Sequence, residues 1–279
     1  MQDFTGKAVV VTGGGSGIGA AICELFAREG SRVVVADIEL DKAEAVAQYI
    51  VNNGGTASAL HVDITSTESC EALALESREL YGDANLLVAN AGVLMLGTLA
   101  TRTEKDWQWV FDVNVFGTIR TVNAFMQQLK TNSGDAHIVI TCSMAGLLAS
   151  APGKGVYNAS KHAQMSYGET LRDELAGSGI NVSLLLPGGT ISGIADSERN
   201  RPSESGRGAP ISDAEFATLL SHLGETGTAV TPQECIRSLL QDLRNNETWI
   251  NPGSSQQAAI EARFQRVIKS FDQINASEK

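Results

Sequence analysis

The chain has 279 residues, a formal net charge of −11, and 43% hydrophobic and 19% charged residues. These proportions are typical of a chain that buries a hydrophobic core, and they exclude a disordered protein. The acidic balance repels phosphates and anionic lipid headgroups, and no cluster of lysine and arginine offsets it. We therefore expect neither a nucleic acid nor a membrane as a partner.

Strands and helices alternate over the first two thirds of the chain. Short runs rich in β-branched residues predict strands at Lys7–Thr12, Arg32–Asp37, Ala57–Val62, Ala84–Ala89, His137–Thr141 and Asn181–Leu186. Helical patterns predict helices at Ile18–Glu29, Asp41–Asn53, Thr67–Tyr81, Thr103–Lys130 and Val156–Leu175. Continuous apolar strands joined by helices indicate the α/β class, with one doubly wound parallel sheet covered by helices on both faces.

The chain after residue 188 differs in composition and no longer alternates regularly between strands and helices. Residues 189–230 are rich in Gly, Ser, Pro and charge, which predicts a mobile substrate loop with a short helix near Asp213–Leu223. Thr231-Pro232 begins a helix, and a short strand lies near Thr248–Ile250. A C-terminal helix over 253–275 carries one apolar face, for which we favour core packing over contact with a neighbour or with the active-site mouth: Ile260, Phe264, Val267, Ile268 and Phe271. No linker divides the chain, so we expect one domain over 1–279.

Cysteine usage and the N-terminal residues bear on location. Cys23, Cys70, Cys142 and Cys235 are widely separated and include no C-x-x-C pair, which predicts reduced thiols and no metal site. The first residues show no leader pattern, and no stretch approaches the ~20 apolar residues of a membrane span. We expect a cytoplasmic protein.

A glycine-rich stretch, Thr12-Gly-Gly-Gly-Ser-Gly-Ile-Gly19, follows the first strand and opens the first helix. Bare glycines let a pyrophosphate approach the backbone N–H groups at the positive helix end, so this context predicts dinucleotide binding. The residues expected to contact the cofactor here are Gly13, Ser16, Gly17, Ile18 and Gly19.

Asp37 ends the second strand, about twenty residues after the glycines. A carboxylate there accepts hydrogen bonds from both hydroxyls of the adenosine ribose and repels a 2′-phosphate. Neither Ser16 nor Ile38 offers a positive charge that would bind such a phosphate. The pattern predicts NAD as the cofactor. The alternative interpretation is an aspartate that caps a helix.

Five sequence features together resemble the short-chain dehydrogenase/reductase superfamily, in its single-domain, shorter-subunit branch. They are the Thr12-Gly-x-x-x-Gly-x-Gly19 loop, Asn90-Ala-Gly92, Asn114, Ser143 and Tyr157-x-x-x-Lys161. The likeness covers about residues 5–250. It implies a Rossmann fold and an enzyme that moves a hydride between a nicotinamide and a small-molecule secondary alcohol or ketone.

The same resemblance assigns the catalytic groups. Tyr157 and Lys161 share a helix face, and because a free tyrosine has a pKa of ~10, the nearby ammonium is needed to favour the phenolate. The family implies that Tyr157 transfers the proton, that Lys161 also binds the nicotinamide ribose, and that Ser143 orients the substrate oxygen. Asn114 matches the asparagine that distorts its helix and supports a relay through water to Lys161.

Further cofactor contacts are implied at the strand ends. Asp63 matches the residue that hydrogen-bonds adenine, and the family pattern adds Ile64, Asn90, Gly92, Pro187, Gly188 and Thr190. The chain departs from the pattern at Ala89 and Asn85, where asparagine and aspartate are usual. After Pro187-Gly188 the sequence is Gly189-Thr190-Ile191-Ser192. This leaves open whether Thr190 or Ser192 contacts the carboxamide of the nicotinamide.

The segments expected beside the substrate, 93–96 and 144–148, are mostly apolar. They favour a lipophilic, cyclic or aromatic substrate over a sugar or a carboxylate, unless the leucines simply pack on the sheet. Helices 103–130 and 156–175 resemble the pair through which the family assembles, which implies a homo-oligomer, either a dimer or a homotetramer. Two alternative functions are an NADP-dependent ketone reductase and a non-catalytic NAD-binding or sensing protein.

Overall fold

Seven parallel strands form one sheet in the order β3-β2-β1-β4-β5-β6-β7. The structure is a computed structural model that describes residues 1–148, 153–203, 206, 208, 229–253 and 256–277. The strands are β1 Ala8–Thr12, β2 Arg32–Asp37, β3 Thr56–His61, β4 Leu86–Ala89, β5 Ala136–Thr141, β6 Ile180–Leu185 and β7 Trp249–Ile250. The parallel sheet and the strand-helix alternation confirm the predicted fold class.

Helices cover both faces of the sheet because successive side chains of each strand point to opposite sides. In β1, Val9 and Val11 belong to one core and Val10 to the other. The longer helices are α1 Gly17–Arg28, α2 Leu40–Asn52, α3 Thr67–Tyr81, α4 Glu104–Phe111, α5 Thr118–Thr131 and α6 Gly155–Glu174. Helices α1 and α2 bury residues in the first core, and α3, α5 and α6 bury residues in the second.

The helix predicted over 103–130 is interrupted. Between α4 and α5, residues Asp112–Gly117 form a π-helix, in which the hydrogen bonds span five residues instead of four. A capping box at Thr103 and Asp106 begins α4. The π-helical turn contains Asn114, whose side chain bonds Val93 in the loop after β4, and it confirms the expected helix distortion at that residue.

The segment after β6 contains one helix that the sequence did not predict. The segment predicted as a loop after 189 contains a 3₁₀ helix at Gly193–Asn200, and Thr190 pairs with Val230 in an isolated bridge. The predicted helix Asp213–Leu223 lies outside the described residues. Short helices at Pro232–Cys235 and Leu239–Arg244 follow.

The C-terminal helix spans Gln257–Ser277, close to the predicted 253–275. Its apolar face does not pack in the core as favoured above: Phe264, Val267, Ile268 and Phe271 are 47–61% exposed. Among the helix side chains that the structure describes, up to residue 271, Ile260 alone packs against the buried cluster to which α6 contributes. The core-packing interpretation is wrong because an amphipathic pattern shows that a face is apolar without showing what covers it.

In the described part of the chain, no helix has the length and apolar character needed to cross a bilayer.

Candidate active site

A cavity of about 540 Å³ lies at the carboxyl ends of the central strands, where a doubly wound sheet places its ligands. Both the glycine loop and most of the predicted catalytic groups form the wall of this cavity. The predicted residues that line it are Gly13, Ser16, Gly17, Ile18, Gly19, Asp37, Asp63, Ile64, Asn90, Gly92, Ser143, Tyr157, Lys161, Pro187, Gly188 and Thr190. Asn114 is fully buried behind this wall.

The glycine loop is shaped so closely that side chains would not fit at several positions. Gly13 and Gly17 adopt positive φ angles of 65° and 53°. A Cβ on Gly13 would lie 2.8 Å from the Cα of Ala91, and one on Gly19 would lie 2.0 Å from the carbonyl oxygen of Gly13. The bare backbone at the start of α1 therefore forms a cradle that fits a pyrophosphate.

Asp37 lines the cavity beside the glycine loop and is 8% exposed. Its Oδ2 accepts a hydrogen bond from the Gly15 amide at 2.9 Å, and its Oδ1 accepts one from the Glu39 amide at 3.0 Å. These bonds fix the carboxylate between the glycine loop and the start of α2. Each oxygen keeps a further lone pair for a ribose hydroxyl.

Glu39 joins Asp37 in an acidic wall. Its carboxylate accepts hydrogen bonds from the Arg199 guanidinium, with the closest N–O distance at 2.6 Å, and pairs with Lys42 at 2.8 Å. The pairing with Arg199 lowers the pKa of Glu39 to about 2. Arg199 comes from the 3₁₀ helix Gly193–Asn200, so this ion pair joins the segment after β6 to the loop after β2.

Two other predicted cofactor residues also shape their own loops. Asp63 Oδ1 accepts hydrogen bonds from the amide and hydroxyl of Thr65, at 2.9 and 2.7 Å, which bends the chain toward α3. The Asn90 side-chain amide donates to the carbonyl oxygens of Thr12 and Gly13, at 3.0 and 3.1 Å. Asn90 thus ties the end of β4 to the glycine loop.

Tyr157 lies in the first turn of α6, facing Ser143 at the end of β5. Burial raises the pKa of Tyr157 to about 12, and the nearby Ser143 hydroxyl opposes this shift only in part. Ser143 Oγ also donates to the carbonyl oxygen of Pro187 at 3.3 Å and accepts from the Ala145 amide at 3.1 Å. The two hydroxyls of the predicted pair therefore meet at the cavity wall.

Lys161 is 2% exposed, and its ammonium lies 5.8 Å from the centre of the Tyr157 ring. Nζ donates to the carbonyl oxygen of Thr141 at 3.0 Å and to Gln164 Oε1 at 2.7 Å. Burial lowers the pKa of Lys161 to about 8. The i, i+4 spacing thus brings phenol and ammonium together, as the sequence predicts.

A chain of hydrogen bonds through two side chains links Lys161 to Asn114. Gln164 Nε2 donates to Thr118 Oγ1 at 2.7 Å, and that hydroxyl donates to the Asn114 carbonyl oxygen at 2.9 Å. The Asn114 side chain bonds the backbone of Val93 in both directions, at 2.8 and 2.9 Å. Asn114 therefore fixes the loop after β4.

Sequence reasoning missed several residues of the site. Gln164 gave no signal because a buried glutamine within a helix has no motif. Trp109 of α4 was not expected in the cavity wall, and neither were Lys154 and Asn158, which lie within four residues of Tyr157. Their nearness to Tyr157 was the available signal. Among the described residues, no three or more His, Cys, Asp or Glu side chains are arranged to hold a metal ion.

Known proteins are similar to this chain in sequence. Residues 7–203 match the family described as short chain dehydrogenase. A curated relative, the C alpha-dehydrogenase of a Sphingobium species, is 29% identical over 97% of this chain and 88% of its own. The fluoren-9-ol dehydrogenase of a Terrabacter species is 30% identical over 73% of this chain and 62% of its own.

A solved structure agrees with the whole fold. A short-chain dehydrogenase/reductase from Burkholderia phymatum, in complex with NAD, superposes with a TM-score of 0.89 at 34% identity, over 97% of both chains. The family match covers more than half of the sequence, and the phenol, ammonium and glycine cradle described above converge on one cavity. The chain is an oxidoreductase and belongs to the short-chain dehydrogenase/reductase family.

Proposed function

We propose that the chain is an NAD-dependent dehydrogenase that moves a hydride between the nicotinamide and a lipophilic, cyclic or aromatic secondary alcohol or ketone. The observation that carries this proposal is the shared cavity. Tyr157, Ser143 and Lys161 open onto the same space as the glycine cradle and Asp37. A dinucleotide bound at the cradle and a substrate at Tyr157 would therefore meet.

The charges beside the adenosine ribose support NAD over NADP. A 2′-phosphate would lie near the carboxylates of Asp37 and Glu39, which would repel it. The nearby cations Lys42 and Arg199 are already paired with Glu39. The structural relative from Burkholderia phymatum was solved with NAD, which also supports this assignment.

The residues have separate tasks in the proposed reaction. The nicotinamide supplies the hydride acceptor or donor when it is bound. Ser143 holds the substrate oxygen, and Tyr157 takes the alcohol proton during oxidation or returns it during reduction. Lys161 places a positive charge beside the phenol. Its ammonium has three N–H donors, so it can also donate hydrogen bonds to the hydroxyls of the nicotinamide ribose.

The substrate end of the cavity is mainly apolar, which supports a lipophilic substrate. Its apolar lining comprises Val93, Leu94, Leu96, Trp109, Val113, Met144 and Leu148. The relative from Terrabacter is named for fluoren-9-ol, a secondary alcohol on an aromatic ring system. A planar cyclic or aromatic frame therefore suits the proposed substrate.

Two measurements test the proposal. Fluorescence titration with NADH and NADPH is expected to give at least about tenfold tighter binding of NADH, since a repelled charge costs more than ~1.4 kcal/mol in such a site. Replacing Asp37 by Asn should reduce that preference. Tighter binding of NADPH would contradict the cofactor assignment. An absorbance screen of secondary alcohols and ketones with both cofactors would contradict the dehydrogenase proposal if no compound were turned over.

We also propose the homo-oligomer that the family resemblance implies. Phe116, in the π-helical turn between α4 and α5, is 52% exposed, and it lines a second cavity together with Trp107 and Phe111. An apolar surface of this kind is typical of an interface. Light scattering should show a dimer or a tetramer, and a monomer at micromolar concentration would contradict this proposal.

A further inference from the structure

The substrate end of the cavity contains a cation with no partner. Lys154 immediately precedes α6, and it lies three residues before Tyr157 and four before Asn158. Residues at these spacings share one side of a helix, and all three line the cavity. Lys154 is therefore placed beside the proposed proton-transfer group, within the largely apolar chamber.

The Lys154 side chain is half-buried, and no hydrogen bond or ion pair joins it to any residue in the described part of the chain. Burial lowers the pKa of Lys154 with no carboxylate to offset it. The other cations of this cavity differ: Lys161 has two acceptors, and Arg199 is paired with Glu39. Of these three cations, Lys154 is the one whose charge has no protein partner and is available to bind a ligand.

Two other polar atoms of the same cavity also lack hydrogen-bond partners. Asn158 is 6% exposed, and its Oδ1 has no hydrogen-bond partner. Gln256, which precedes the C-terminal helix, also lines the cavity and leaves its Oε1 without a partner. Buried polar atoms usually have partners, because leaving one unpaired costs free energy. Both atoms are acceptors, so a hydroxyl or amide N–H of a ligand would satisfy them, whereas an anionic oxygen would be held by the ammonium of Lys154.

We propose that Lys154 is a specificity-determining residue that binds an anionic oxygen substituent, a carboxylate or a phenolate, on the substrate. The inference rests on the proposed function and narrows its substrate class to a cyclic or aromatic alcohol or ketone with an acidic group remote from the reacting carbon. An anion pairs with a desolvated ammonium more strongly than a neutral group does. The expectation from sequence, which favoured a lipophilic substrate over a carboxylate, did not place this lysine in the cavity.

The test measures binding to the enzyme–NADH complex by fluorescence titration. Two ketones serve as probes, para-acetylbenzoate and its methyl ester, because they share the ring and the carbonyl group and differ in charge. The wild-type protein should bind the carboxylate at least about tenfold more tightly, which corresponds to ~1.4 kcal/mol for one charge-assisted hydrogen bond. Lys154→Met should remove the preference and leave the affinity for the ester within about threefold.

Two variants control for other causes. Lys154→Arg keeps the positive charge and should keep most of the preference. Lys130→Met makes the same change of net charge at an exposed position of α5 and should leave the preference unchanged. Equal binding of the two ketones by the wild type, a preference that survives Lys154→Met, or no binding of either ketone would overturn the inference.

Turnover of the two ketones separates this inference from the proposed function. If both ketones are reduced but the wild type shows no preference, the anion site is wrong and the dehydrogenase proposal stands. If the carboxylate binds in a Lys154-dependent manner but neither this panel nor the wider screen gives turnover, the anion site stands and the dehydrogenase proposal is wrong.

Discussion

Replacing Gln164 by Leu removes one of the two acceptors of the Lys161 ammonium. Gln164 is 1% exposed, and its Oε1 lies 2.7 Å from Nζ. A hydrogen bond to a charged group contributes about 1.5–3 kcal/mol, and 1.36 kcal/mol corresponds to one pKa unit. Because the bond favours the charged form, its loss should lower the pKa of Lys161 from about 8 by roughly one to two.

The pH dependence of alcohol oxidation reports this change. Lys161 is charged below its pKa and neutral above it, so the kcat/KM of the wild type should decline as the pH rises through about 8. In Gln164→Leu the same decline should begin roughly one to two pH units lower. Gln164→Glu places a carboxylate beside the ammonium and should move the decline to higher pH.

A matched variant separates positioning from general damage. Thr118→Val removes the hydroxyl that accepts from Gln164 Nε2 but keeps the acceptor of Lys161, so its pH profile should stay close to that of the wild type. Thermal unfolding should show that all variants are folded at the assay temperature. Identical pH profiles for wild type, Gln164→Leu and Gln164→Glu would refute the reasoning.

Three further changes give distinct outcomes. Tyr157→Phe should abolish turnover and leave NADH affinity within about threefold, since it removes only the phenolic proton carrier; activity like that of the wild type would contradict the mechanism. Gly19→Ala would place its Cβ 2.0 Å from the Gly13 carbonyl oxygen and should lower stability by about 1–3 kcal/mol and weaken NADH binding, as denaturation and titration would show. Burial lowers the pKa of His137 to about 3, so the unfolded chain takes up a proton as the pH falls below about 6.5 and the folded chain does not. The wild type should therefore lose about 2 kcal/mol of stability between pH 7 and pH 5 that His137→Gln retains, and equal losses in urea unfolding would contradict this assignment.

Much of the fold follows from local patterns. The strands at 32–37 and 8–12 are apolar runs bounded by turns, and both were predicted to within a residue. The glycine loop after β1 and the Tyr157–Lys161 spacing are also local, because φ restrictions and helical periodicity act between neighbours in the chain. For this reason the cradle and the paired phenol and ammonium were predictable from sequence.

Contacts between distant segments were not predictable in this way. Glu39 meets Arg199 across 160 residues, and Gln164 of α6 donates to Thr118 of α5. The periodicity of the C-terminal helix indicated an apolar face but not that Phe264 and its neighbours stay exposed.

The sequence by itself determined the α/β class, the strand-helix alternation, the glycine cradle and the proximity of phenol and ammonium, since these depend on residue types at short spacings. Only the tertiary structure decided which charges are paired and which remain open to a ligand, as at Lys154. The physical reason is that the charged state and the partner of a side chain depend on burial and on segments packed from elsewhere, and these are properties of the folded chain.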